Sequence, residues 1–137
     1  IASRVQLLFG HADFALRAAD VALVASGTAT LEAAMLGCPQ VVSYRVSRIT
    51  AAIVMRKLNS RFVALPNIIS DDWCVPELLQ DAATVDALES ALSALIEQPR
   101  LRAKMQAAYA AMGEALRAPA TQSHDPMVAS VLSQIRR

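Results

Sequence analysis

Ser26, Gly27, Thr28 and Glu32 are the residues of this 137-residue chain whose types and spacing could do chemistry, within the run Ala25-Ser26-Gly27-Thr28-Ala29-Thr30-Leu31-Glu32. An apolar run, Val21-Ala22-Leu23-Val24, precedes them and reads as a buried strand; Ala29 to Leu36 reads as a helix that Gly37 stops. A small-residue turn between strand and helix leaves backbone N–H groups free where the helix dipole is positive, and such a turn can hold a phosphate. Glu32 follows Thr28 by four residues, one turn along the same face. Donors around Thr28 with a carboxylate one turn deeper suit a pyrophosphate and a ribose hydroxyl. The same residue types are ordinary N-caps, and a first-turn Glu complements the dipole without any ligand, so the residues alone leave both readings open.

The elements that position this turn can be read along the chain. Val5 to Phe9 is expected to be a strand stopped by Gly10, and His11 to Ala19 a short helix. Val21 to Ala25 is the second strand, and Gln40 to Tyr44, opened by Pro39, the third. Ser47 can cap a helix from Arg48 to Leu58, and Phe62 to Leu65 is a fourth strand broken by Pro66-Asn67. Short apolar strands alternating with helices predict an α/β, Rossmann-like parallel sheet covered on both faces.

Beyond Asn67 the chain reads as helical. Pro76 suits the first position of a short turn through Gln80. Thr84 caps a helix whose Val85, Leu88, Leu92, Leu95 and Ile96 follow helical spacing. After Pro99 comes a helix with Leu101, Met105, Ala108, Met112 and Leu116 on one stripe, ended by Pro119. Ala118 to Asp125 is a polar linker, and Pro126 to Ile135 a last helix. Residues 1–80 are expected to form an α/β core, and residues 81–137 helices completing the same domain.

Composition narrows the function classes. Hydrophobic residues make up 55% and charged residues 18%, enough for a core and too apolar for disorder. A net charge of +1 argues against a dedicated nucleic-acid binder. No apolar run approaches the ~20 residues that span a bilayer. The chain opens Ile1-Ala2-Ser3-Arg4, with neither an initiator Met nor a signal-peptide pattern, and is expected to be a piece of something longer. Cys38 and Cys74 have no metal-type spacing and are expected to be reduced and partly buried, as in a cytosolic protein. No His/Cys/Asp cluster has ligand spacing, so no metal is expected. A Gly-x-Gly-x-x-Gly fingerprint is absent, which lowers the odds of an NAD enzyme.

Charge is segregated. Between Glu32 and Asp71 stand five basic residues, Arg45, Arg48, Arg56, Lys57 and Arg61, and no acidic one. Ile49, Ala52, Ile53 and Met55 are interleaved with them, so the expected 48–58 helix reads equally as an anionic-membrane contact or as an ordinary helix with a basic solvent face. His11 follows Gly10 at the carboxyl end of the first expected strand, where open α/β sheets bind ligands; packing against its neighbours is the plainer reading. Arg45 ends a strand and is a candidate anion contact. Asn67 can bond a ligand or stabilise a turn. The Asp71-Asp72 pair reads as a solvated loop, His124 as a solvated linker residue, and Trp73 as a core or subunit contact.

Taken in order, these segments resemble a known family. Ala18-Ala19-Asp20, Ser26 to Ala33, Pro39, Val41-Val42, Tyr44-Arg45, Leu65-Pro66-Asn67 and Val75-Pro76-Glu77-Leu78-Leu79-Gln80 look like the C-terminal half of lipid-A-disaccharide synthase, a GT-B glycosyltransferase. The resemblance runs from about Val5 to Gln80. It implies the C-terminal domain of a GT-B fold and transfer of a diacylated glucosamine from UDP to diacylglucosamine 1-phosphate, releasing UDP. It implies no metal or other cofactor, the UDP-sugar being a substrate. The reaction would occur at the cytoplasmic face of the inner membrane, to which the protein would bind peripherally. The N-terminal domain, absent here, would supply most acceptor contacts and the catalytic base, so the fragment alone is expected to be inactive. Carried over to matching positions, Ser26, Gly27 and Thr28 would meet the diphosphate and Glu32 the ribose. Gly10 and His11 would lie near the uracil, and Arg45 and Asn67 would face the interdomain cleft. The family's C-terminal helices can exchange between subunits, which implies a possible homodimer.

The chain departs from the family pattern where Ser70-Asp71-Asp72 replaces Ala-Gly-Arg, and where Gly10-His11 replaces Gly-Gln or Gly-Arg. Two other functions fit part of the pattern: a UDP-sugar epimerase on the same fold, which needs no basic, apolar helix, and a non-catalytic nucleotide-binding module.

Overall fold

The computed structural model describes residues 5–25, 27–47 and 61–117. The fold is α/β, with three parallel strands among the described residues in the order β1-β2-β3: β1 (Ala22–Ala25), β2 (Gln40–Tyr44) and β3 (Glu77–Leu79). Ala25 pairs with Ser43 and Tyr44 with Leu79, so the carboxyl ends of all three strands lie along one edge. The described helices are α1 (Ala12–Ala18), α2 (Thr28–Met35), α3 (Leu65–Ser70), α4 (Val85–Glu97) and α5 (Pro99–Arg117), with a 3₁₀ turn at Gln80–Ala82.

β2 is the middle strand, and Gln40, Val41 and Val42 are wholly buried, as a strand covered on both faces requires. Burying Val41 and Val42 contributes about 2 kcal/mol each. One apolar cluster joins Val41 and Val42 to Ala34, Ala64, Val75, Leu95, Met105, Tyr109 and Met112; a smaller one joins Val24, Ala33 and Cys38, with Leu16 and Ala19 packed on it. Thr30, Ala33 and Ala34 are the buried side of α2, an i, i+3, i+4 pattern. Gly37, at φ 74°, turns the chain out of α2 in the left-handed conformation that glycine adopts without strain.

Several sequence expectations fall. Val5 to Leu8 form no strand: their backbone pairs with nothing among the described residues, and Leu7 and Phe9 are 76% and 84% exposed. An apolar run becomes a strand only where a neighbouring ladder accepts its N–H and C=O groups. The fourth expected strand, 62–65, is instead the lead-in to α3, because Pro66 occupies the first turn of a helix, where its missing N–H costs nothing. The expected turn from Pro76 to Gln80 is β3, which pairs with the open edge of β2.

The helix after Thr84 forms where its cap predicts. The Thr84 hydroxyl accepts the Ala87 N–H at 3.2 Å. Val85 and Ile96 are nevertheless exposed, and only Leu95 of that stripe is fully buried. On α5 the buried residues are Met105, Tyr109, Met112 and Gly113, with Leu101 and Leu116 at the rim. Arg102 donates to the Leu95 and Ile96 carbonyls at 2.6 and 2.7 Å, closing the end of α4. The expected 48–58 helix, the 118–125 linker and the 126–135 helix lie outside the described residues.

Candidate functional site

β1 ends at Ala25 and α2 begins at Thr28, so the turn between them stands at the carboxyl edge of the sheet. Gly27 is the N-cap at φ 138°, ψ −162°, a backbone that an L side chain rarely adopts. Among the described residues no side chain caps α2, and its first turn holds no acidic residue. Gly27, Thr28 and Ala29 are exposed. The positive end of the α2 dipole is thus presented to solvent without a neutralising acidic group in its own first turn. Glu32 is exposed one turn along from Thr28, while Thr30 between them is buried. Ser26 lies outside the described residues.

Arg45 follows β2 at the same edge and is exposed. Beside it, the Val46 N–H donates to Oε1 of Gln80 at 3.3 Å. Gln80 follows β3 and takes φ 52°, so its side chain ties the exits of β2 and β3 together. Gly10, at φ 74°, and His11 form the entry to α1. The His11 ring is exposed and lies edge-on to Phe14, with centroids 6.0 Å apart. The opposite end of α1 is the one anchored to the base of β2, where the Cys38 thiol lies 3.8 Å from the Ala19 carbonyl oxygen.

Asn67 is not at the surface and does not face a cleft. It is 0% exposed, and its amide is spent inside the chain. Its Oδ1 accepts the N–H groups of Cys74 and Val75 at 2.9 and 2.8 Å; its Nδ2 donates to the Val75 carbonyl at 2.9 Å and to Glu77 at 2.8 Å. Glu77 also accepts the Val63 and Ala64 N–H groups, at 3.0 and 2.9 Å, at the start of α3. Of the two roles open to Asn67, the structure assigns the turn. Residue types alone leave Glu77 unassigned, because its partners are distant in sequence.

The altered Ser70-Asp71-Asp72 loop has a local explanation. Asp71 closes α3 at φ 47°, ψ 32°, the left-handed conformation that suits the glycine of the family pattern and that Asp tolerates better than most residues. Asp72 is exposed and accepts the Trp73 N–H at 2.7 Å. Trp73 is 57% exposed, its ring edge-on to Phe62 at 5.0 Å, so it is not core. An apolar groove of about 320 Å³ runs from Trp73 and Val75 to Leu101, Met105 and Ala108; it opens at the entry end of β3, away from the Gly27 turn.

Both cysteines are free thiols. Burial, reinforced by the negative charge of Asp20, pushes Cys38 above the ordinary thiol range; burial also raises Cys74. Neither is activated as a nucleophile. Among the described residues no group of three His, Cys, Asp or Glu could hold a metal, and no helix is long and apolar enough to cross a membrane.

The family model for lipid-A-disaccharide synthetase matches residues 2–131. This chain belongs to the lipid-A-disaccharide synthase family. The lipid-A-disaccharide synthase of Aromatoleum aromaticum is 46% identical over 113 residues, 82% of this chain and 29% of that protein. Those of Chromobacterium violaceum and Alcanivorax borkumensis are 43% and 39% identical over 82% and 93% of this chain. The chain spans about a third or less of these relatives, 29% to 33%. In lipid-A-disaccharide synthase terms, the described residues carry the Gly27-to-Glu32 run intact on an exposed turn, while the Leu65-Pro66-Asn67 segment is a structural clasp.

Proposed function

We propose that this chain is the nucleotide-binding part of a lipid-A-disaccharide synthase, holding the UDP of a UDP-diacylglucosamine donor while the sugar passes to diacylglucosamine 1-phosphate. The observation that carries this reading is the uncapped, exposed start of α2 at Gly27 and Thr28. Ser26, Gly27 and Thr28 hold the diphosphate by backbone and hydroxyl donors. Glu32, one turn further, accepts from the ribose hydroxyls. Gly10 and His11 lie toward the uracil, and Arg45 meets the anionic leaving group at the sheet edge. As the bond to the sugar breaks, charge builds on the departing UDP, and donors already aimed at its phosphates stabilise it without reorganising. The acceptor and its base belong to the rest of the protein. Peripheral attachment to the inner membrane through residues 48–58, and a dimer formed through the C-terminal segment, belong to the same reading.

The test is calorimetric titration of the full-length protein with UDP. Glu32→Ala is expected to weaken binding about tenfold, the value of one hydrogen bond to a charged group. Gly27→Val is expected to abolish binding, because valine cannot hold that backbone without strain. Wild-type affinity in both variants would sink the proposal.

A further inference from the structure

Thr30 sits inside the exposed run yet is 0% exposed, so it cannot touch a ligand. Its hydroxyl donates to the Gly27 carbonyl oxygen at 2.7 Å, and its N–H donates to the same oxygen at 3.1 Å. That carbonyl shares a planar peptide with the Thr28 N–H. The peptide is trans, so the N–H points opposite to the C=O. Two donors that hold the Gly27 oxygen toward the helix therefore hold the Thr28 N–H away from it, out to solvent.

Thr30 is itself held from below. Nε2 of Gln40, the first residue of β2, donates to the Thr30 carbonyl at 2.9 Å and to the Tyr109 hydroxyl of α5 at 3.2 Å. The Gln40 N–H meets the Met105 sulfur at 3.3 Å. Gln40 is wholly buried, and its Oε1 has no partner among the described residues. The amide is thus oriented through its donor, toward Thr30 and Tyr109. A continuous path of short polar contacts leads from α5 through β2 to the direction of one backbone N–H.

We propose that Thr30 and Gln40 are positioning residues that aim the Thr28 N–H at the diphosphate. This rests on reading the Gly27–Thr28 turn as the phosphate site. Preorganised donors lose effectiveness when their supporting shell is loose, so the support is expected to register in phosphate affinity.

The experiment compares UDP and uridine binding by the full-length protein, since uridine uses no phosphate donor. Thr30→Val keeps the volume and removes the hydroxyl; it is expected to weaken UDP about tenfold and leave uridine unchanged. Thr30→Ser restores the hydroxyl and is expected to stay within about twofold of wild type. Gln40→Met is expected to weaken UDP about threefold. If Thr30→Val binds UDP as wild type does while Gly27→Val does not, the positioning role is overturned and the phosphate site stands. Equal losses for UDP and uridine, without rescue by serine, also overturn it. If Gly27→Val too binds UDP normally, the site reading falls and the positioning role with it.

Discussion

The starts of α2 and α3 face the same physical problem and solve it oppositely. Each helix leaves backbone N–H groups without intrahelical partners in its first turn. At α3 a carboxylate from β3, Glu77, takes the Val63 and Ala64 N–H groups, and Asn67 locks the carboxylate in place. At α2 the cap is a glycine with no side chain, and nothing acidic stands in the turn. One end is finished inside the protein; the other carries no side-chain cap among the described residues. Both lie within segments that resemble the same family, so a motif match does not by itself separate a binding residue from a structural one. Burial marks Asn67 as structural here.

The contrast can be broken most forcefully at Asn67. Asn67→Leu is expected to cost about 3 kcal/mol, because it strands buried backbone groups of residues 74 and 75 and the Glu77 carboxylate. Urea unfolding measures this, and a loss below about 1 kcal/mol would mean the clasp is not structural. The open end is tested by supplying what it lacks. Ala29→Glu is expected to stabilise the fold by about 0.5 kcal/mol through the α2 dipole, while weakening UDP severalfold by placing like charge at the phosphate. Opposite signs in melting and binding mark a site reserved for a ligand; the same sign in both would deny it.

The smallest expected effect concerns the support beneath α2. Burial holds the Tyr109 hydroxyl well above the ordinary tyrosine range, partly countered by its bond with Gln40. A pKa raised by folding contributes stability that is complete below the unfolded value, about 10, and is lost as pH rises above it. The raised thiols of Cys38 and Cys74 act in the same direction from about pH 8.5. Melting temperature is therefore expected to fall from pH 9 to 11, and less steeply in Tyr109→Phe. An unchanged slope would remove Tyr109 from that balance.

Local patterns made much of this legible. β2 was readable because its apolar run is bounded by Pro39, and α4 because Thr84 and the spacing after it agree. The outward Thr28 and Glu32 and the inward Thr30, Ala33 and Ala34 follow from helical spacing alone. β3 was not legible: three residues carry too little pattern to distinguish a strand from a turn, and Glu77–Leu79 becomes a strand only because β2 offers an open edge. Phe62 to Leu65 reads as a strand because an apolar run before a proline looks like a strand ending, whereas here the proline begins a helix. The inward stripe of α5 was displaced onto Tyr109, whose hydroxyl becomes tolerable in the core only once Gln40 is there to bond it.

By itself, then, the sequence determined the strand–turn–helix at Gly27, the Thr84 helix cap, the α/β class and the family, because each depends on neighbours within a few residues or on a run of residue types. Only the tertiary structure decided which polar residues of those motifs are free. The Asn67, Glu77 and Gln40 side chains and the Thr30 carbonyl are occupied by partners from other elements, the most distant 69 positions away in Gln40's bond to Tyr109. A hydrogen bond between residues so far apart has no local signature, and the burial that makes it obligatory exists only once the layers have packed.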